Sequence, residues 1–177
     1  MIDLRKRFSP KAFDQSILEM HDITAIMEAA AWAPSAYNEQ PWRFHVALRQ
    51  DEAAFESFLR VLTESNQTWA KDASALVFSV ARRERVRDGL KNDYAFYDTG
   101  QAVTHLTVEA LNRGLQLHQM QGFVVAECRR LLNLPSGVDP VTAFAIGRPG
   151  PGQSHDMPHR IRKDFGEVFV VHGEPVS

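Results

Sequence analysis

At 177 residues, with 44% hydrophobic and 24% charged side chains, the chain has the length and balance of one globular domain, and disorder is excluded. Twenty Lys and Arg against 22 Asp and Glu leave a net charge of −2, which argues against a general nucleic-acid or polyanion binder. A lone cysteine, Cys128, excludes an internal disulfide and any multi-cysteine metal or iron–sulfur site.

In chain order, the first helix is predicted over about Ser16–Ala33. Ser16 and Glu19 fit a capping box, Met20, Ile23, Met27 and Ala30 recur at helical spacing, and Pro34 ends it. A strand follows at 42–48, where Trp42, Phe44, Val46 and Leu48 alternate with Arg43, His45 and Ala47. Residues 52–62 carry the helix stripe Phe55, Phe58, Leu59 and Leu62. The run 74–81, SALVFSVA, reads as a strand buried on both faces. The longest helix is predicted over 95–113, with Ala102, Val103, Leu106 and Ala110 on one side and Gly114 as its cap. The small residues Gly100, Ala102 and Ala110 would let that helix pack closely on a second copy of the chain. A strand at 115–119, a helix at 124–133, a strand at 141–147 and a last strand at 167–172 complete the pattern. Helices and strands do not alternate strictly, so the expected class is α+β, helices around a mixed, mostly antiparallel sheet. No composition break divides residues 1–177, which read as one domain with an extended Gly/Pro-rich arm from about 148. No apolar run reaches the roughly 18 residues of a membrane helix. The N-terminus lacks the apolar stretch of a secretory signal, so the expectation is a cytoplasmic protein without a membrane or nucleic-acid partner.

Four segments stand out chemically. RKRFSPKAF at 5–13, if extended, turns Arg7, Ser9 and Lys11 to one side, a clamp suited to phosphate; taken alone it reads more readily as a solvated basic terminus. APSAYNEQPW at 33–42 offers Ser35, Asn38 and Gln40 on a loop between two regular elements, either a binding loop or a plain connection. QMQGF at 119–123 contains Gly122, which admits a flat ligand close to the backbone or simply makes a turn. At 158–163, PHRIRK places Arg160 and Arg162 in alternation, a second cationic clamp or a surface cluster. Fifteen of the 20 basic residues are Arg, the side chain suited to forked phosphate contacts. His155 and His159 lie four apart without a convincing carboxylate set, so no metal is expected. Cys128 lies beside Leu131 and Leu132 and reads as a core thiol.

Taken together, and in this order, the segments resemble the nitroreductase family of FMN-dependent oxidoreductases. The resemblance runs from Leu4 to about Gly173. It rests on KRFSPKAF (6–13), AAAWAPSAYNEQPWRFHVA (29–47), YDTGQAV and LTVEALNRGL within 97–115, QGF (121–123), AIGRPG (145–150) and RIRKDFGEVF (160–169). It implies an intertwined homodimer in which both subunits build each FMN site. Arg7, Phe8, Ser9 and Lys11 match the family's grip on the FMN phosphate and ribityl chain, and Arg160 and Arg162 match the C-terminal pair that closes on that phosphate. Pro34, Ser35, Ala36 and Asn38 match the loop reaching the flavin from the other subunit. Asn66 matches a position by the ribityl chain or pyrimidine ring, and Gln121 and Gly122 match the turn that approaches flavin N5.

Relatives often carry a cation at the position of Trp69, Pro at Gln119, an acidic residue at Gln121 and a serine at Ala36. Many also insert a long helical segment where this chain has only RRERVRDGLKND, so the lid over the flavin should be small. Tyr37, Trp42, Trp69 and Phe123 are the candidate aromatic walls of the substrate pocket. The implied activity transfers electrons from NAD(P)H through flavin N5 to small nitroaromatic, quinone or related oxidants by a ping-pong mechanism, with no protein nucleophile and no metal. The alternative is a flavin-binding protein without such turnover: a carrier, a sensor or a flavin-modifying member.

Overall fold

The computed structural model describes residues 2–156 and 160–173. Four strands, β1 (Trp42–Leu48), β2 (Ala75–Arg82), β3 (Gln116–Met120) and β4 (Val138–Gly147), form one sheet in the order β1-β2-β4-β3. Every neighbouring pair is antiparallel, so the sheet contains no parallel pairing. β2 is buried along almost its whole length because helices cover both faces. Ala75 and Val77 meet α1 (Met20–Ala31) and α4 (Ala95–Asn112) on one side. Leu76 and Phe78 meet α2 (Glu52–Val61), α3 (Glu64–Ala70) and α5 (Val125–Leu131) on the other. A bulge between Ser79 and Val80 accommodates Pro140 of β4, which has no N–H for the ladder; the Ser79 hydroxyl bonds the Thr142 backbone there.

α4 ends as its sequence requires. Gly114 adopts φ +72°, the Leu115 N–H reaches the Ala110 carbonyl at 2.9 Å, and the Gly114 N–H reaches that of Leu111 at 3.0 Å. The same helix corrects one expectation. Ala102 and Ala110 lie with Val103 and Leu106 in this chain's own core, and only Gly100 of the three small residues faces outward. Spacing of three and four residues puts 102, 106 and 110 on one stripe and 100 on the opposite one.

Three other expectations change. The Ser16–Glu19 capping box does not form: α1 starts at Met20, and the Ser16 hydroxyl is buried without a partner. Residues 12–14 are instead drawn to 148–150, with Gly150 N–H on the Ala12 carbonyl at 2.9 Å and Asp14 N–H on that of Arg148 at 3.2 Å. The strand expected at 167–172 does not form: 167–168 belong to a helical turn, α6 (Phe165–Val168), with a capping box between Asp164 and Glu167, and 169–172 have no regular structure. The consecutive apolar residues 168–171 find no strand to pair with among the described residues, and the local cap sets only the turn at 165–168. α3 was not anticipated, because its sequence, ESNQTWA, lacks an apolar stripe. Among the described residues no helix is long and apolar enough to cross a membrane.

Candidate functional site

The basic N-terminal segment is held by its backbone, which leaves its cationic side chains available. Gln116, a buried β3 residue, accepts the Phe8 N–H at 3.1 Å and donates to the Lys6 carbonyl at 3.1 Å. Two residues along the same strand, His118 Nδ1 meets the Pro10 carbonyl at 2.7 Å. Gln153 accepts the Lys11 N–H at 3.0 Å. Phe8 is buried, whereas Ser9 and Lys11 are exposed and Arg7 is half-buried. Arg7 Nη1 donates to Ser9 Oγ at 3.2 Å.

The C-terminal arm returns to this segment. Arg160 donates to the Arg5 carbonyl at 2.8 Å, to that of Arg7 at 2.6 Å and to that of His155 at 2.6 Å. Its guanidinium therefore acts as a strut between the two chain ends. Among the described residues Arg162 makes a single bond, to the adjacent Ile161 carbonyl. Burial, and then the positive charges of Arg160 and Arg162, push the Arg7 guanidinium below its usual pKa. Among the described residues no carboxylate pairs with Arg7, Lys11, Arg160 or Arg162. Like charges gathered without a counterion make a site for an anion. A groove of about 360 Å³ runs from Arg7 along α4 to Gln119.

The 121–123 turn is fixed from below. The Gly122 carbonyl accepts the Thr63 N–H at 2.9 Å, the Thr63 hydroxyl at 3.2 Å and the Asn66 side-chain amide at 2.9 Å. The Phe123 N–H closes on the Gln121 carbonyl at 2.9 Å. A Cβ on Gly122 would collide with Asn66 Nδ2 and lie 2.7 Å from Thr63 Oγ1, so only glycine fits. The Gly122 N–H has no partner among the described residues. Asn66, Gln121 and Gly122 are thus brought together.

Pro34–Asn38 lie elsewhere. Buried Asp98 of α4 accepts the Ala36 N–H at 3.0 Å, and Ser35 Oγ accepts the Gln40 N–H at 3.0 Å. Tyr37, Asn38 and Gln40 take φ of +54°, +57° and +44°, a costly run of left-handed residues that the surroundings hold in place. The Glu39 side chain, 4% exposed, accepts the Val86 N–H at 2.7 Å and pairs with Arg82 at 3.4 Å, tying the loop to the segment after β2. Arg87 lies over the Tyr37 ring at 3.6 Å. No hydrogen bond joins this loop to the N-terminal clamp among the described residues.

The four aromatic candidates separate. Tyr37 is 72% exposed and Phe123 is half-buried against Phe78 at 5.5 Å. Trp42 lies in the α1/α4 core and Trp69 in the α2/α3 core, where Trp69 packs on His118 at 4.4 Å and on Phe13 at 6.3 Å. Cys128 is buried, and its thiol is pushed up to about 11 by burial. His159 lies outside the described residues. Among the described residues no group of three or more His, Cys, Asp or Glu could hold a metal ion.

The supporting residues Gln116, His118, Thr63, Asp98 and Glu39 were missed in the sequence. One signal was available for two of them: polar Gln116 and His118 alternate with apolar Leu117 and fall on one face of the strand.

A family model, that of the nitroreductase family, matches residues 4–148. The chain belongs to the nitroreductase family. A solved oxidoreductase containing FMN is 34% identical, with a TM-score of 0.79, covering 85% of this chain and 78% of that one. A nitroreductase family protein from Streptococcus pneumoniae TIGR4 shares the fold at 17% identity, with a TM-score of 0.80 over 95% and 97% of the two chains. An uncharacterized 15.4 kDa protein from Mycolicibacterium smegmatis is 38% identical over 101 residues, 56% of this chain and 67% of that protein. The nitroreductase match stops at residue 148, where the arm carrying Arg160 and Arg162 begins.

Proposed function

We propose that this chain is an FMN-dependent oxidoreductase that carries electrons from NAD(P)H to small nitroaromatic, quinone or related oxidants. The observation that carries the reading is the positive cluster of Arg7, Arg160 and Arg162, with Arg7 on Ser9 and Lys11 two residues further along, without a carboxylate among the described residues and with Arg160 locking the two chain ends together. A phosphate monoester supplies the missing negative charge. The turn at Gly122 suits the other end of the cofactor, since its N–H has no partner among the described residues and its missing Cβ lets Thr63 and Asn66 hold the turn from below. Bound FMN supplies hydride acceptance and delivery at N5, chemistry that no side chain here provides. Arg7, Phe8, Ser9, Lys11 and Arg162 hold the phosphate end, Asn66 fixes the turn, and Gln121 and Gly122 present backbone N–H groups to the ring. Tyr37 and Phe123 offer the accessible aromatic surface for a flat oxidant; Trp42 and Trp69, expected as pocket walls, are buried in the two cores on opposite faces of the sheet and do not line it.

The assembly proposed is a homodimer of single-domain subunits in which the segment from about 148 embraces a second copy. From Ile161 to Gly173 every residue is exposed, including Phe165 at 71% and Val170 at 73%, an apolar stretch that water alone does not favour. The outer edge of β1 has no partner strand among the described residues and offers the extended end of this arm somewhere to pair. Pro34–Asn38 share no hydrogen bond with the clamp among the described residues, which supports a flavin bound between two subunits.

The purified protein should be yellow, retain FMN on dialysis, oxidise NAD(P)H with a quinone or nitroaromatic, and give parallel double-reciprocal plots. Flavin retained without turnover would favour the carrier or sensor reading. A colourless protein that takes up no FMN would overturn the proposal. Light scattering should give a dimer at micromolar concentration.

A further inference from the structure

His118 packs on the core through Trp69 and holds the backbone of the clamp through Pro10, yet takes no part in the cofactor contacts above. Its ring stacks on Trp69 at 4.4 Å, tilted by 31°. Its Nδ1 is 2.7 Å from the Pro10 carbonyl, an oxygen that only accepts, so Nδ1 carries the proton and donates. The lone pair of the neutral ring is therefore on Nε2, for which no partner exists among the described residues. Pro10 sits between Ser9 and Lys11, so the ring fixes the turn that presents both. The charged groups acting on it are Lys11 and Arg7, from the N-terminal segment; Trp69 of α3 and its β4 strand partner Ala145 bring none.

We propose that His118 is a positioning residue of the phosphate clamp and makes its grip proton-dependent: the Nδ1–H bond to Pro10 sets Ser9 and Lys11, and Nε2 takes up a proton when a phosphate dianion settles on Arg7 and Lys11. This rests on the FMN reading of the preceding subsection. In the free protein the imidazolium is disfavoured, first by burial and then by Lys11 and Arg7, while the bond to Pro10 works the other way. An anion on Arg7 and Lys11 cancels their repulsion, so the histidine titrates at higher pH in the complex than in the free protein. Between those two values binding takes up a proton, and affinity rises as pH falls. The FMN phosphate, which itself protonates near pH 6, acts in the opposite sense, so a comparison of variants at each pH is needed to isolate the histidine.

The experiment measures FMN affinity of the apoprotein and of His118→Gln by fluorescence quenching from about pH 8 to about pH 5.5, with riboflavin as the ligand lacking phosphate. The ratio of native to variant affinity for FMN should rise by about tenfold toward acid, the factor of one pKa unit, and stay flat for riboflavin. An FMN ratio that is flat overturns the proposal while leaving the cofactor reading intact, and an equal rise with riboflavin overturns the link to phosphate. Native protein that binds no FMN at any pH overturns both. Should the variant fold poorly, histidine NMR on the native protein decides: the ring showing a nuclear Overhauser contact to Trp69 is His118, and its pKa must rise on adding FMN. An unmoved pKa is a refutation.

Discussion

Two arginine-rich regions of this molecule use the same side chain in opposite ways. At the end of β2 and just beyond it, each Arg has a carboxylate: Arg82 has Glu39 at 3.4 Å, Arg83 has Asp139 at 3.4 Å, and Arg85 and Arg87 have Asp88 at 3.0 and 3.3 Å. At the joined chain ends, Arg7, Arg160 and Arg162 have none among the described residues, and repel one another. The first arrangement is complete as it stands and holds a loop in shape. The second leaves its charge uncompensated among the described residues; on the proposed reading an anion completes it, and its energy then appears in binding rather than in folding. An Arg count alone does not separate the two; the presence or absence of a counterion does.

The comparison is tested most severely by removing one unpaired charge. Arg7→Ala or Arg162→Ala should lower FMN affinity about tenfold to a hundredfold, since a charge-assisted contact contributes about 1.5–3 kcal/mol. The stability of the apoprotein should be unchanged or higher, because like charges are no longer crowded. Arg87→Ala, whose partners are internal, should leave the intrinsic phosphate grip alone. Dialysis followed by flavin absorbance measures the first effect and urea denaturation the second. Equal losses of affinity in Arg7→Ala and Arg87→Ala would erase the distinction.

Glu39→Ala reverses the pattern. The Glu39 carboxylate is almost wholly buried and holds Arg82 and the Val86 N–H, so its loss should cost about 2 kcal/mol of stability, less than a fully buried pair because Arg82 is partly exposed. The strained residues Tyr37 and Asn38 should then relax. The clamp should still bind inorganic phosphate as before. A urea midpoint equal to that of the native protein would show that the loop does not depend on this carboxylate.

The sequence made the charge-bearing residues legible and hid the residues that hold them. Arg7, Ser9, Lys11 and Gly122 lie in short motifs whose order carries the family resemblance. Gln116 and His118 act on Lys6, Phe8 and Pro10 across more than 100 residues of chain, a pairing that no local pattern encodes. The strands at 42–48 and 74–81 were legible because period-two alternation and a doubly buried run are strong signals. The end of the chain was misread because FVV has the composition of a strand, while pairing needs a partner that the described residues do not supply. Arg160 and Arg162 looked equivalent in the sequence, and only the three carbonyls around Arg160 separate strut from free charge.

That separation gives a smaller effect. Arg160→Gln removes a charge but keeps a donor able to meet a carbonyl, whereas Arg162→Gln removes a charge that no backbone group uses as a strut. FMN affinity should therefore fall less in Arg160→Gln than in Arg162→Gln, by a factor of about three or more, roughly 0.7 kcal/mol. The reverse order would place the phosphate on Arg160.

The smallest effect lies on the paired side and is a matter of pH. The Asp88 carboxyl is held below the usual carboxylate range, first by the Leu90 N–H at 3.0 Å and then by the charges of Arg85 and Arg87. A depressed carboxyl contributes order that is fully present above its unfolded value of about 3.9 and is lost as pH falls through its lower folded value. Acidification below about pH 4 should therefore loosen the 85–90 turn first, raising hydrogen exchange at the Leu90 amide. Asp88→Asn should show the looser turn already at neutral pH and no further acid step there. The anchors of the clamp behave differently in this window, because Arg7 and Arg162 have no carboxylate to lose. Exchange at the Phe8 amide, held by the neutral Gln116 side chain, should stay constant over the same range. Parallel acid loosening at Leu90 and Phe8 would mean that the paired and unpaired regions unfold as one unit, and the contrast between them would then not extend to local stability.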